Sequence, residues 1–88
     1  MIMHDFPLFR KYTNNKSYFK INNLLNFEEI KITPNYYSIL IIEIKTLPER
    51  NFINDMINDY FQSWQEISMQ EYEAKKTYCL NNLKNMDL

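Results

Sequence analysis

The residues able to do acid, metal or nucleophilic chemistry are few in this sequence, and most are isolated. There is one histidine, His4, and one cysteine, Cys79. Nucleophilic catalysis needs a nucleophile, a base and a group to orient the base. Cys79 falls on the apolar side of a helical pattern, where a thiol acts as a small hydrophobe. His4 sits in a terminal segment. A zinc site draws on several His or Cys ligands, and the chain does not supply them. The acids offer one spacing with chemical meaning. Asp55 and Asp59 are four apart, so a helix places both on one face, where paired carboxylates can hold Mg²⁺ or share a proton. The same pair on the wet side of an amphipathic helix is ordinarily a solvated face. Glu28 and Glu29 are adjacent, so a strand sends them to opposite sides. Glycine is absent, which removes the standard phosphate and dinucleotide loops, because those need a backbone bare enough to approach the phosphates. No catalytic residue, metal ligand or cofactor site is expected, and the chain reads as a non-enzyme.

One stretch has the composition of a binding surface. RKYTNNKSYFKI, residues 10–21, gathers four cations and three aromatics, with no acid anywhere in residues 6–26. Arg10, Lys11, Lys16 and Lys20 could neutralise phosphates while Tyr18 stacks on an unpaired base. Alternation limits this set. Ser17, Phe19 and Ile21 share one side of a strand, and Tyr18 and Lys20 share the other, which reads as the outer one. Exposed lysines and tyrosines also keep a sheet edge soluble. Nucleic-acid contact through Arg10, Lys11, Lys16, Tyr18 and Lys20 is therefore the alternative reading.

The elements that must position these groups follow from local pattern. Residues 8–12 and 17–21 form a hairpin across Thr13-Asn14-Asn15-Lys16. Residues 27–33 make a further strand, and Pro34-Asn35 turns it into residues 36–45, the strongest strand in the chain. There Leu40, Ile42 and Ile44 share one face while Ile39 and Ile41 share the other. With no glycine, turns fall to Asn14-Asn15, Asn22-Asn23 and Asn35, because Asn tolerates positive φ next best. TLPE at 46–49 is a capping-box helix start with Pro in the first turn. Phe52, Ile53, Met56, Ile57, Tyr60, Phe61 and Trp64 then recur at helical spacing. A helix is expected over 48–59, and residues 60–67 read either as its continuation or as a short edge strand. SMQE at 68–71 opens a second helix, striped by Tyr72, Cys79, Leu80 and Leu83, with Glu71 and Lys75 as an i,i+4 pair. The fold class is α+β: a three- to four-stranded antiparallel meander followed by two amphipathic helices packed on one sheet face.

Eighty-eight residues make one domain, and 45% apolar content is enough for a core. The net charge of −1 creates no general pull toward nucleic acid or an acidic membrane. Residues 1–48 carry six Lys/Arg against four acids and residues 49–88 four against seven, a mild asymmetry that favours self-association. A lone cysteine and no apolar run of membrane length suit a soluble cytoplasmic protein. The rings of Tyr36, Tyr37, Tyr60, Phe61, Trp64, Tyr72 and Tyr78 exceed what so small a core hides, and Tyr and Trp at a rim anchor interfaces. If both helices cover one face, the face of Tyr37, Ile39 and Ile41 needs another cover, either a partner or the N-terminal segment with Ile2, Met3, Phe6 and Leu8. A protein interface at Tyr37, Ile39, Ile41 and Trp64 is expected, with a homo-oligomer or a partner protein and no membrane. Substituting Tyr37 or Ile41 by Asp should then break the oligomer and leave the fold.

The stretches RKYTNNKSYFKI, LPERNFINDM and WQEISMQEYE resemble segments of short uncharacterised bacterial proteins of no assigned function. That resemblance implies a small bacterial or phage-type accessory protein and no particular chemistry. The function expected is a protein-interaction module of accessory, inhibitor or antitoxin-like type.

Overall fold

The computed structural model describes residues 5–86. Four consecutive strands form an antiparallel meander: β1 Leu8–Tyr12, β2 Ser17–Asn23, β3 Asn26–Ile32 and β4 Tyr36–Glu43. Helix α1, Leu47–Asn58, follows, then a single 3-10 turn at Tyr60–Gln62 and strand β5, Trp64–Glu66. Helix α2, Met69–Asn82, leads to a two-residue strand β6, Lys84–Asn85. The sheet runs β5-β1-β2-β3-β4-β6, with β5 antiparallel to β1 and β6 parallel to β4. The class is α+β as expected, but the meander is extended at both edges to six strands.

The two helices lie on opposite faces of the sheet, which corrects the expectation that both cover one. Tyr18 and Phe19 are neighbours in β2 and so face opposite ways. Tyr18 packs with Tyr72 and Cys79 of α2, together with Phe9, Ile30 and Tyr37. Phe19 packs with Ile53, Met56 and Ile57 of α1, together with Ile21, Phe27 and Trp64. Chain direction and crossover handedness explain the arrangement, because right-handed connections between parallel strands that run in opposite directions across a sheet fall on opposite faces. The chain leaves β4 at one end of the sheet and must reach β5 at the other, so α1 carries it across one face. α2 carries it back across the other face and delivers β6 beside β4. Each face is thereby covered, and burial of each large side chain contributes about 1.5–3 kcal/mol.

Local chemistry sets the turns and helix starts. Asn15 takes φ 62°, the left-handed position that glycine would fill elsewhere. Asn23 Oδ1 accepts from the N–H groups of Leu25 (2.7 Å) and Asn26 (3.1 Å) and closes the β2–β3 turn. Thr46 and Glu49 make the full capping box of α1. Ser68 Oγ accepts from the Glu71 N–H at 3.0 Å and caps α2. The Glu71 carboxylate pairs at 3.2 Å with Lys11 of β1, and Lys75 lies instead over the rings of Tyr18 and Tyr78. Of the two readings for residues 60–67, the edge strand is the one found.

Candidate functional site

The open edge of β4 is built by the phase of its hydrogen bonds. Thr33 N–H donates to the Tyr36 carbonyl at 2.8 Å, and Ile44 N–H to the Leu25 carbonyl at 2.7 Å. Antiparallel pairing alternates, so residues 36, 38, 40, 42 and 44 turn their peptide groups toward β3. Tyr37, Ile39, Ile41 and Glu43 turn theirs outward. β6 satisfies the first of these, with Met86 N–H donating to the Tyr37 carbonyl at 2.8 Å. Among the described residues, nothing pairs with the outward peptide groups of Ile39, Ile41 and Glu43. The segment ILIIE contains no Pro, Lys or bulge, and its one edge-protecting charge is Glu43 at its end. The far edge, β5, is three residues long and carries Gln65 and Glu66.

The expected interface residues separate. Ile41 is 72% exposed on this edge. Tyr37 is buried under α2, and Ile39 packs against the same cluster. Trp64 is buried on the α1 face, stacked on Tyr12 at 5.5 Å. α2 is thus the cover that the Tyr37 face needs. Phe6 and Leu8, offered as an N-terminal cover, pack on the α1 side instead, while Ile2, Met3 and His4 lie outside the described residues. The Trp64 indole N–H is buried and finds no acceptor among the described residues.

The basic hairpin also divides between faces. Arg10 is 5% exposed. Its Nε donates to the Met56 carbonyl at 2.9 Å and its Nη1 to the Phe9 carbonyl at 2.9 Å, and its guanidinium lies 4.2 Å over the Tyr60 ring. Burial lowers its pKa from the ordinary value, partly offset by Glu66. Tyr18 is buried under α2, because the face that alternation marked as outer is the one α2 covers. Lys11 is held by Glu71, Lys20 is half-buried beside Glu28, and Lys16 is exposed in the turn. The five residues do not share one open face.

Asp55 and Asp59 are exposed and border a shallow polar cleft of about 240 Å³ with Gln62, Ser63 and Trp64. Among the described residues, no three His, Cys, Asp or Glu side chains converge as a metal site would require. Burial pushes the Cys79 thiol up, partly offset by Lys75, which is the opposite of nucleophile activation.

Two carboxylates that the sequence marked only as adjacent have distinct environments. Glu28, on the α2 face, accepts from the Tyr72 hydroxyl and from Lys76 Nζ. Glu29, on the α1 face, is 7% exposed and accepts from Ser17 Oγ at 2.9 Å. Glu29 also lines a groove of about 340 Å³ with Phe27, Ile42, Pro48, Glu49 and Phe52. The alternation of β3 showed that the two acids part; their partners come from β2 and α2 and left no local signal.

No helix among the described residues is long and apolar enough to cross a membrane. Compared with protein-family models, curated proteins and solved structures, the chain matches none of them.

Proposed function

We propose that this chain is a non-enzymatic protein-interaction module that docks by strand addition at the edge of β4, first of all with a second copy of itself. The observation that carries this reading is the apolar edge from Ile39 to Glu43, unpaired among the described residues. Strand addition draws affinity from the main chain and selectivity from alternate side chains. The free edge is bounded by β6 at one end and by the end of β4 at the other, and its middle residue is Ile41. An antiparallel two-fold through Ile41 sets Ile39 opposite Glu43 of the second copy. That register keeps the two Glu43 carboxylates about 14 Å apart along the strands, at ~3.4 Å per residue. This exceeds the Debye length of about 8 Å at physiological salt. A parallel pairing would set the two Glu43 side by side, so charge favours the two-fold. Five residues of edge fall short of the ~800 Å² per partner of a standard interface, so the dimer is weak and concentration-dependent.

Sedimentation equilibrium from about 10 μM to about 1 mM tests this range. A monomer–dimer transition is expected, and Ile41→Cys should form an oxidised dimer while Lys16→Cys should not. A monomer throughout, with Ile41→Cys uncrosslinked, would refute self-pairing. Placing a photo-crosslinking residue at Ile41 then decides whether another protein takes the edge.

A further inference from the structure

Among the described residues, no cation pairs with the buried carboxylate of Glu29. Its Oε2 accepts from Ser17 Oγ, and no group among the described residues donates to Oε1. The ion pairs among the described residues are Lys11–Glu71 and Lys76–Glu28, and Glu29 takes part in neither. Removing a carboxylate from water costs several kcal/mol unless a counter-charge and further hydrogen bonds offset it. One hydroxyl satisfies one of about four acceptor sites. Its neighbour Glu28 shows what full compensation looks like in this fold: a tyrosine hydroxyl and a lysine on the same oxygen.

The groove that Glu29 lines supplies the remaining features of a cation receptor. Phe52 walls it, with the buried Phe27 ring behind, 5.7 Å away and tilted by 35°. Aromatic faces attract cations, and Pro48 and Ile42 offer apolar contact to an alkyl stem. Glu49 stands at the same groove, and its Oε1 accepts from the N–H groups of Lys45 and Thr46, each at 2.9 Å. That carboxylate counters the positive end of the α1 dipole, which would otherwise repel a cation.

We propose that the groove between β3–β4 and the start of α1 receives a lysine or arginine side chain from a partner protein, its stem over Phe52, Pro48 and Ile42 and its charge on Glu29. The site does not depend on pairing at the β4 edge.

The test uses N-acetyl-lysine-methylamide and N-acetyl-arginine-methylamide, with N-acetyl-norleucine-methylamide as the uncharged control, titrated by NMR into the wild-type chain and Glu29→Gln. Saturable shifts at Phe27, Ile42 and Phe52 are expected with the two cations at millimolar concentration and not with norleucine. Glu29→Gln should weaken that binding at least tenfold and leave the melting temperature no lower, because the isosteric amide keeps the Ser17 bond and removes only the charge that the probe meets. A melting temperature that falls would make Glu29 a structural acid, and equal binding by norleucine or by Glu29→Gln would remove its charge from recognition. Either result overturns the proposal. Putrescine binding more tightly than both amino-acid probes would also overturn it, by making the ligand a free diamine. Repeating the titration with Ile41→Lys separates the two readings: unchanged binding leaves the groove standing whether or not the edge pairs.

Discussion

The Tyr72 hydroxyl donates to Glu28 Oε1 at 2.5 Å and so fastens α2 to the central strand β3 across 44 residues of chain. Lys76, one turn further along the helix, reaches the same oxygen at 3.0 Å. Burial alone pushes the Glu28 carboxyl up, but the bonds from Tyr72 and Lys76 and the Lys76 charge outweigh it and hold the group below its ordinary value. Burial first, and Glu28 second, push the Tyr72 hydroxyl far above its ordinary value.

These shifts set a pH window. A depressed carboxyl stabilises the fold above its unfolded pKa of about 4.3, and that contribution is lost as pH falls through the folded value. A raised phenol stabilises below its unfolded pKa of about 10, and that contribution is lost as pH rises toward the folded value. Stability measured by urea unfolding should therefore be flat between about pH 5 and pH 9 and fall on both sides. Tyr72→Phe should cost about 1–2 kcal/mol at neutral pH and weaken both arms of the profile. An unchanged profile would mean that the bond contributes nothing to stability.

Arg10 joins β1 to the last turn of α1 through the Met56 carbonyl, where a cation also meets the negative end of the helix dipole. Arg10→Lys keeps the charge but loses the planar fork and the stacking on Tyr60. A loss of about 1–3 kcal/mol in denaturant unfolding is expected, whereas exposed Lys16→Ala should stay within about 0.5 kcal/mol of wild type. Equal effects at the two positions would contradict the burial of Arg10.

The two aspartate substitutions that looked equivalent should part. Ile41→Asp places a charge on an open edge and should abolish dimerisation in sedimentation runs with the melting temperature nearly unchanged. Tyr37→Asp places one beneath α2 and should cost at least about 4 kcal/mol, enough to unfold much of a domain this small. A folded, monomeric Tyr37→Asp would reinstate Tyr37 as an interface residue.

With Arg10 and Tyr18 buried and Lys11 engaged by Glu71, the hairpin should bind a labelled single-stranded oligonucleotide no better than weakly at about 50 mM salt. Micromolar binding that collapses at about 200 mM would restore the nucleic-acid reading.

Asn15 stands in for glycine at the one positive φ among the described residues. Asn15→Val should cost about 1–2 kcal/mol, since a β-branched residue resists the left-handed region, while Asn15→Gly should stay within about 1 kcal/mol of wild type. Thermal melts of both variants check this, and indistinguishable melts would argue against the turn.

What the sequence determined by itself is what neighbouring residues decide. Thr46 and Ser68 start the helices because each side chain reaches an N–H three residues on. The alternation of Ser17, Phe19 and Ile21 fixed which side chains share a face, and Asn14-Asn15 and Pro34-Asn35 fixed the turns. Which face is covered, and by what, depends on contacts many residues apart. A strand apolar on both sides, as β4 is, accepts a helix on either one. The placement of β5 beyond β1, parallel to β4, makes α1 and α2 crossovers of opposite direction, and the right-handed rule for crossovers puts two such helices on opposite faces. That return buries Tyr18 and Tyr37, pairs Lys11 with Glu71, and supplies Tyr72 and Lys76 to Glu28. Among the described residues it gives Glu29 no cation, and β6 pairs only with the start of β4, so the Glu29 groove and the Ile39–Glu43 edge arise from the tertiary path of the chain.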